Sequence, residues 1–203
     1  MTSIAAVILA AGESRRWGAD NKLLAQIDGR PMVLRTVRAV LDSKARPAVV
    51  VTGHERSEVE RLLAGLPLAI VNAANYASGL SASLKAGIAA VPIGCDGALV
   101  CLGDMPWVKP ETLDRLIGAF DPETGFAVVP AYEGEWGNPV LLGRPLFEKI
   151  GSLSGDRGAR ALLKSVGERV KEIVVDDPGV LRDVDRPDSL VYPLKDGNER
   201  PGS

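Results

Sequence analysis

Short apolar runs alternate with segments of helical spacing along most of the chain. Ile4–Ala10 is apolar throughout, the pattern of a parallel strand buried on both faces. A polar, glycine-containing stretch from Ala11 to Lys22 follows. Pro31–Leu41 then predicts a helix, with proline at its start and Leu34, Val37, Val40 and Leu41 on one face. Pro47–Thr52 reads as a second strand, Ser57–Leu63 as a second helix, Leu68–Val71 as a third strand and Ser81–Val91 as a third helix. Ala98–Leu102 is a fourth strand, broken at Gly103-Asp104-Met105-Pro106, and Pro110–Ala119 is helical with Leu113, Leu116 and Ile117 aligned. Beyond this the regularity loosens. Phe126–Val129 and Val140–Leu142 predict strands flanking the polar loop Tyr132–Asn138, Ala159–Val166 a helix, and Val170–Val175 a last strand. The alternation implies an α/β fold of three layers, an open, mostly parallel sheet with helices on both faces. Ligands of such sheets bind beyond the carboxyl ends of the strands. The segments to inspect are therefore Ala11–Lys22, Thr52–His54, Asn72–Ser83 and Gly103–Pro106.

The 203 residues, at about 150 per domain, suit one domain better than two. No repeat or long linker divides them, so residues 1–194 are expected to form a single domain, with the polar tail 195–203 disordered. The net charge of -2 offers no broad basic surface for nucleic acid, though a single nucleotide needs only a few placed cations. Cys95 and Cys101 are too few for a disulfide framework or a cysteine zinc site and read as core thiols. One histidine, His54, excludes zinc hydrolase sites built on several. A Ser-His-Asp machine would rest on His54 alone, without a Gly-x-Ser-x-Gly elbow. The N-terminus has no basic region ahead of the apolar run, which is too short to span a membrane. The expected address is the cytoplasm, with no membrane partner.

Leu9-Ala10-Ala11-Gly12-Glu13-Ser14-Arg15-Arg16-Trp17-Gly18 leads from the first strand into a loop with two arginines, and Lys22 lies just beyond. Small residues at Ala10, Ala11 and Gly12 let backbone approach a ligand, and successive amides form an anion-binding concavity. Arg15, Arg16 and Lys22 are the densest positive charge at any expected strand end. Arginine suits bidentate phosphate binding and lysine acts as a point charge. A solvated basic loop is the plainer reading of an Arg-Arg pair; its place at a strand end favours the anion site. The spacing is neither a Walker loop nor Gly-x-Gly-x-x-Gly, which disfavours an NAD-binding oxidoreductase.

The run Leu-Ala-Ala-Gly-x-Ser-x-Arg-x-Gly-x-x-x-Lys-Leu-Leu resembles the signature of the nucleotidyltransferases that activate sugars, polyol phosphates and molybdopterin. Within them the chain is most similar to the molybdenum cofactor cytidylyltransferases. Further matching segments are Gly79-Leu80-Ser81-Ala82-Ser83-Leu84, Leu102-Gly103-Asp104-Met105-Pro106, Gly137-Asn138-Pro139-Val140, Gly155-Asp156-Arg157-Gly158-Ala159-Arg160, and Asp183-Val184-Asp185-Arg186-Pro187-Asp188-Ser189-Leu190. Together they run nearly the length of the chain in order. The resemblance implies a Rossmann-like nucleotidyltransferase fold. It implies transfer of CMP from CTP to the terminal phosphate of molybdenum-bearing molybdopterin, with pyrophosphate released. A GTP-using molybdopterin guanylyltransferase and a cytidylyltransferase for a sugar or polyol phosphate are the alternatives. A nucleotide-binding protein that only delivers cofactor is a different class, disfavoured by Arg16, Lys22 and Asp104 occurring together.

The resemblance gives nucleotide binding to Leu9, Ala10, Ala11, Gly12, Glu13, Ser14, Arg15, Lys22 and Gly79, with pyrophosphate leaving on Arg16 and Lys22. It gives the metal, expected to be Mg²⁺, to Asp104 and to Asp185. A carboxylate at a strand end facing a phosphate loop suits that ion. As turn and cap residues both aspartates have a plainer role, and Arg186 stands where the family usually has Thr. Thr52, Asn75 and Ser81, at or just after strand ends, either bond the base or ribose or act as caps and turns. Leu-Ala-Ala-Gly goes with cytidine and Leu-Ala-Gly-Gly with guanosine in the molybdopterin branch, so Ala11 selects CTP, its methyl narrowing the pocket floor. The acceptor falls to the less regular half. Trp136, Gly137 and Asn138 form a pocket lip there, with Trp136 either stacking on a pterin or packing on the sheet. Asp156, Arg157 and Arg160 at a helix start either receive an anionic acceptor or form a surface ion-pair cluster. A recipient molybdoenzyme or its chaperone is the implied protein partner. An acceptor phosphate with a second pKa of about 6 is already largely dianionic at neutral pH. No general base is needed, which fits a chain almost without histidine.

Overall fold

In a computed structural model, residues 2–14, 17 and 21–190 are described. Arg15, Arg16 and the tail 195–203, which carry three of the expectations above, lie outside them. The strands are β1 (Ile4–Ala10), β2 (Gln26–Ile27), β3 (Arg30–Pro31), β4 (Ala48–Thr52), β5 (Ala69–Asn72), β6 (Gly97–Leu102), β7 (Ala127–Tyr132), β8 (Glu135–Trp136), β9 (Val140–Gly143) and β10 (Val170–Val174). The α-helices are α1 (Met32–Asp42), α2 (Arg56–Leu63), α3 (Leu80–Ala89), α4 (Pro110–Ala119), α5 (Phe147–Ile150) and α6 (Ala159–Val166). The main sheet runs β10-β7-β9-β6-β1-β4-β5, with β8 paired to β7. Within it β6, β1, β4 and β5 are parallel neighbours, and β9 is antiparallel to both β6 and β7.

The all-apolar β1 is explained by what covers it. Ala5, Val7 and Leu9 face one core cluster with Leu84 and Ile88 of α3, Ile150 of α5, and Leu162 and Leu163 of α6. Ile4, Ala6, Ile8 and Ala10 face another with Val33 and Val37 of α1, Val59 and Leu63 of α2, and Leu113 and Leu116 of α4. Alternate residues of a strand point to opposite faces, so a strand sandwiched by helices has no face left for polar residues. Both expected layers of helix are present, and the three-layer α/β architecture is the one formed.

Two features depart from the pattern. Pro31 does not begin α1 but pairs with Gln26 across a two-residue hairpin. Asp28 and Gly29 turn that hairpin at φ 49° and 72°, the left-handed pair that Asp-Gly adopts in tight turns. The edge strand β5 is largely exposed, because no strand covers its far side. Register is what matters for function. Ala10 pairs with Thr52 and Leu9 with Leu102, so β1, β4 and β6 end level and their exits open on one side. Among the described residues, no helix is long and apolar enough to cross a membrane.

Candidate active site

Backbone bonds join the chain where it leaves the parallel strands. The Gly103 amide donates to the Leu9 carbonyl (2.9 Å), His54 to Ala11 (3.2 Å) and Ala73 to Thr52 (2.8 Å). Over these exits lies a cleft of about 570 Å³, a size suited to a small-molecule ligand. The end of β1 and the segment after it line one part, with Leu9, Ala10, Ala11, Gly12, Glu13, Ser14 and Trp17 all contributing. The start of α3 and the turn before it, Tyr76–Leu80 with Ser83, also line the cleft. Gly155 and Asp156 form a rim, and Lys22, Asp104 and Asp185 gather at one end.

Lys22 opens a short turn that Asn21 caps, its side-chain oxygen accepting from the Leu23 amide at 3.0 Å. The Lys22 amide also donates to Ser14 Oγ at 3.3 Å, tying the lysine to the loop after β1. From there its Nζ reaches Asp104 Oδ2 at 2.6 Å and Asp185 Oδ1 at 3.3 Å. Burial alone would lower the Lys22 pKa. Its two carboxylate partners, Asp104 foremost, outweigh burial and hold the ammonium above its ordinary value.

Asp185 arrives from far along the chain because Val184 is fully buried against Ile27 and Met32, and its amide donates to the Asp104 carbonyl at 2.9 Å. Alternation then brings Asp183 to the same place. One carboxylate oxygen from each of Asp104, Asp183 and Asp185 lies within 4.8 Å of the others. Burial, then the charges of Asp104 and Asp185, push the Asp183 pKa up, the mark of carboxylates crowded together. Three hard oxygen donors around one point fit a divalent cation of the magnesium or manganese type.

The expected site residues thus divide. Lys22, Asp104 and Asp185 come together, and Leu9–Ser14 and Gly79 line the same cleft. Thr52 is fully buried, its hydroxyl 3.0 Å from Glu60 Oε1, and Asn75 precedes the Tyr76 turn without a side-chain cap bond. Ser81 is buried and gives its amide to the Gly155 carbonyl at 3.0 Å. None of these three lines the cleft. Ala11 does, but its methyl is spent on packing. Gly53 lies so close that a side chain there would stand 2.8 Å from both the Ala11 and Tyr76 Cβ atoms. Of the acceptor set, only Asp156 lines the cleft. The Trp136 indole donates to the Glu172 carboxylate and its ring packs on the core. Arg160 donates to the Trp136 carbonyl at 2.5 Å, and Asn138 donates its amide to Val180 at 2.8 Å.

The sequence reading missed Asp183, Tyr76, Ser83 and Trp17. The alternation Asp-Val-Asp held the signal for the first, and helical spacing from Gly79 held that for Ser83. Tyr76 and Trp17 had no signal beyond their neighbours.

A cleft of about 570 Å³ over parallel strand ends, with a lysine clamped between carboxylates, fits a nucleotidyltransferase. The chain belongs to the family of the MobA-like NTP transferase domain, whose model matches residues 6–171. It is 32% identical over 194 residues to the purine catabolism protein PucB of Bacillus subtilis (strain 168), covering 90% of this chain and 91% of that one. It is 33% identical over 162 residues to the bifunctional protein GlmU of Sorangium cellulosum (strain So ce56), covering 77% of this chain but only 34% of that longer protein. Among solved structures, Rv0371c from Mycobacterium tuberculosis H37Rv superimposes with a TM-score of 0.81 at 30% identity, over 93% of this chain and 95% of that one. A nucleotidyl transferase from Methanothermobacter (Mth528) gives 0.81 at 28% identity, over 93% and 94%. A complex of Rv0371C with manganese gives 0.78 at 28% identity, over 93% and 96%.

Proposed function

We propose that this nucleotidyltransferase moves CMP from CTP to the terminal phosphate of molybdenum-bearing molybdopterin. The acceptor oxygen forms a new bond to the α-phosphorus as the α–β anhydride bond breaks and pyrophosphate leaves. The products are the cytosine dinucleotide form of the cofactor and pyrophosphate. One observation carries the reading: Lys22 held between Asp104 and Asp185 at the exits of β1 and β6.

The acceptor enters as a dianion, so the protein's work is alignment and charge neutralisation. Backbone amides of Ala11–Ser14 meet the phosphates. Lys22, kept protonated by its two carboxylates, neutralises charge on the departing pyrophosphate, and Arg16 is assigned to the same leaving group with Arg15 beside it. Asp104 and Asp185, joined by Asp183, would hold Mg²⁺; that ion supplies Lewis-acid stabilisation of the phosphoryl oxygens. A structural neighbour is described as a complex with manganese, which supports a divalent ion as the cofactor. Trp136, Gly137, Asn138, Arg157 and Arg160 are assigned to the acceptor side, the arginines meeting its negative charge. The choice of CTP rests on Ala11 in Leu-Ala-Ala-Gly. Residues 1–194 act as one domain in this reading. A molybdoenzyme or its chaperone takes the product in the cytoplasm, where two unpaired cysteines are at home.

Pyrophosphate release with each of the four nucleoside triphosphates, with and without molybdenum-loaded pterin and Mg²⁺, tests the proposal. Release only with CTP, pterin and metal together is the expected result. GTP as the preferred donor, or release with a sugar or polyol phosphate in place of the pterin, overturns the assignment.

A further inference from the structure

We infer that Asp156 binds the ribose of the nucleotide, accepting hydrogen bonds from its vicinal hydroxyls, and does not serve the acceptor. The inference rests on the nucleotidyl-transfer reading above and deepens it.

Position comes first. Asp156 lines the cleft, whereas Arg157 and Arg160 of the same motif do not. Its exposed carboxylate lies beside Gly79, at the start of α3. A side chain at Gly79 would begin 2.7 Å from Asp156 Oδ1 and 2.5 Å from the Gly155 carbonyl carbon. The Ser81 amide holds the Gly155 carbonyl at 3.0 Å, and a side chain at Gly158 would begin 2.6 Å from Leu80 Cδ2. The loop carrying Asp156 is thus seated on the start of α3, which lines the cleft.

Charge then says what the carboxylate meets. Asp104 and Asp185 share Lys22. Asp156 lines the same cleft with no hydrogen bond or ion pair among the described residues. A carboxylate only accepts, and it repels a triphosphate, so the phosphates belong at the Lys22 end. The group facing Asp156 must donate. Two oxygens of a carboxylate match a vicinal diol, the pairing that acidic residues make with ribose in dinucleotide sites. Tyr76 and Leu80, which line the same cleft, offer apolar surface to the faces of the base.

A negative charge at a helix start also has a plain stabilising role, and Asp156 lies near the starts of α3 and α6. The experiment separates the two. Calorimetry with Mg²⁺ compares CTP, GTP and their 2′-deoxy forms on the protein, Asp156→Ala and Asp156→Asn, with thermal unfolding run alongside. The unaltered protein is expected to bind the ribonucleotide about tenfold more tightly than the deoxy form, the worth of one charge-assisted hydrogen bond. Asp156→Ala should bind both alike, and Asp156→Asn should keep part of the difference. A lowered melting temperature with the ribose preference intact overturns the inference, as does a changed CTP/GTP ratio with that preference intact. If the unaltered protein prefers GTP and Asp156→Ala loses ribose preference, this inference stands while the choice of CTP falls. If it binds no nucleotide, both fall.

Discussion

The amide of Val184 donates to the carbonyl of Asp104 across 2.9 Å, pinning a late segment of the chain to the end of β6. With Val184 buried against Ile27 and Met32, Asp185 reaches Lys22 and the cleft and Asp183 lies beside Asp104 and Asp185. A hydrophobic contact thereby assembles a charged site. The cluster depends on the late segment docking, although none of its contacts with the loop after β1 is close in sequence.

Lys22→Ala should cripple turnover while leaving the fold intact. The lysine is the described cation at the phosphate end of the cleft, and removing a preorganised charge partner of a transition state costs about 100-fold or more. Pyrophosphate release measures the loss, and far-UV circular dichroism checks the fold. Unchanged activity would remove the role assigned to Lys22.

Two pKa shifts give stability a common direction with pH. Lys22 is held above its ordinary 10.5 by Asp104 and Asp185 against the pull of burial, so its contribution is present below 10.5 and fades as pH climbs through the folded value. Asp183 is raised above 3.8 by burial and by Asp104 and Asp185. The native state therefore binds more protons than the unfolded chain just above pH 3.8, and stability falls as pH rises through that window. At neutral pH, Asp183→Asn should raise the melting temperature in chelator by relieving repulsion. The same change should shrink the further rise that Mg²⁺ or Mn²⁺ produces. Thermal unfolding with and without metal reads both effects. A larger metal-induced rise in Asp183→Asn would exclude Asp183 from the ligand set.

How far these features could be read from the chain differed by kind. Ile4–Ala10 and Pro110–Ala119 form the expected elements over the same residues, because an unbroken apolar run and a proline-led amphipathic segment have few alternative structures. The antiparallel direction of β9 was not legible, since three or four apolar residues carry no sign of orientation. The β2–β3 hairpin was marked by Asp28-Gly29 yet escaped notice, its strands being too short to show alternation. In the site, Lys22 and Asp104 stand at strand ends and were visible from position. Asp183 needed the burial of Val184, which depends on Ile27 and Met32 far away in sequence. For Trp136 the sequence leaves stacking on a pterin and packing on the sheet both open, because its partner Glu172 comes from β10; the ring packs.

Gly79→Ala should damage both stability and nucleotide affinity. Gly79 sits at φ 103°, outside the range a side chain accepts without strain, and an added Cβ would meet the Gly155 backbone at 2.5 Å. Strain of this kind costs about 1–3 kcal/mol. Relief requires the 155–158 loop to lift from α3, which opens the rim of the cleft. Urea unfolding should show the loss, and calorimetry a weaker affinity for nucleotide. Wild-type affinity in the variant would mean that the rim has no part in binding.

Ala11→Gly tests how the cleft chooses its base. The Ala11 methyl is buried, with 2% of the residue exposed, and packs where Gly53 and Tyr76 meet, so it does not simply project into the cleft as a floor. In the proposed reading its influence on the base would pass through Tyr76, whose Cβ packs beside it at Gly53 and which also lines the cleft. Removing the methyl leaves space beside Tyr76, and a ring that settles into that space enlarges the cleft. A purine then fits where a pyrimidine was preferred. A tenfold fall in the CTP/GTP preference corresponds to about 1.4 kcal/mol, within reach of one methyl group. Competition between CTP and GTP in the pyrophosphate-release assay should show the fall. A Tyr76→Ala variant should reproduce it, because the tyrosine transmits the effect. An unchanged ratio in both variants would place base selection elsewhere in the cleft.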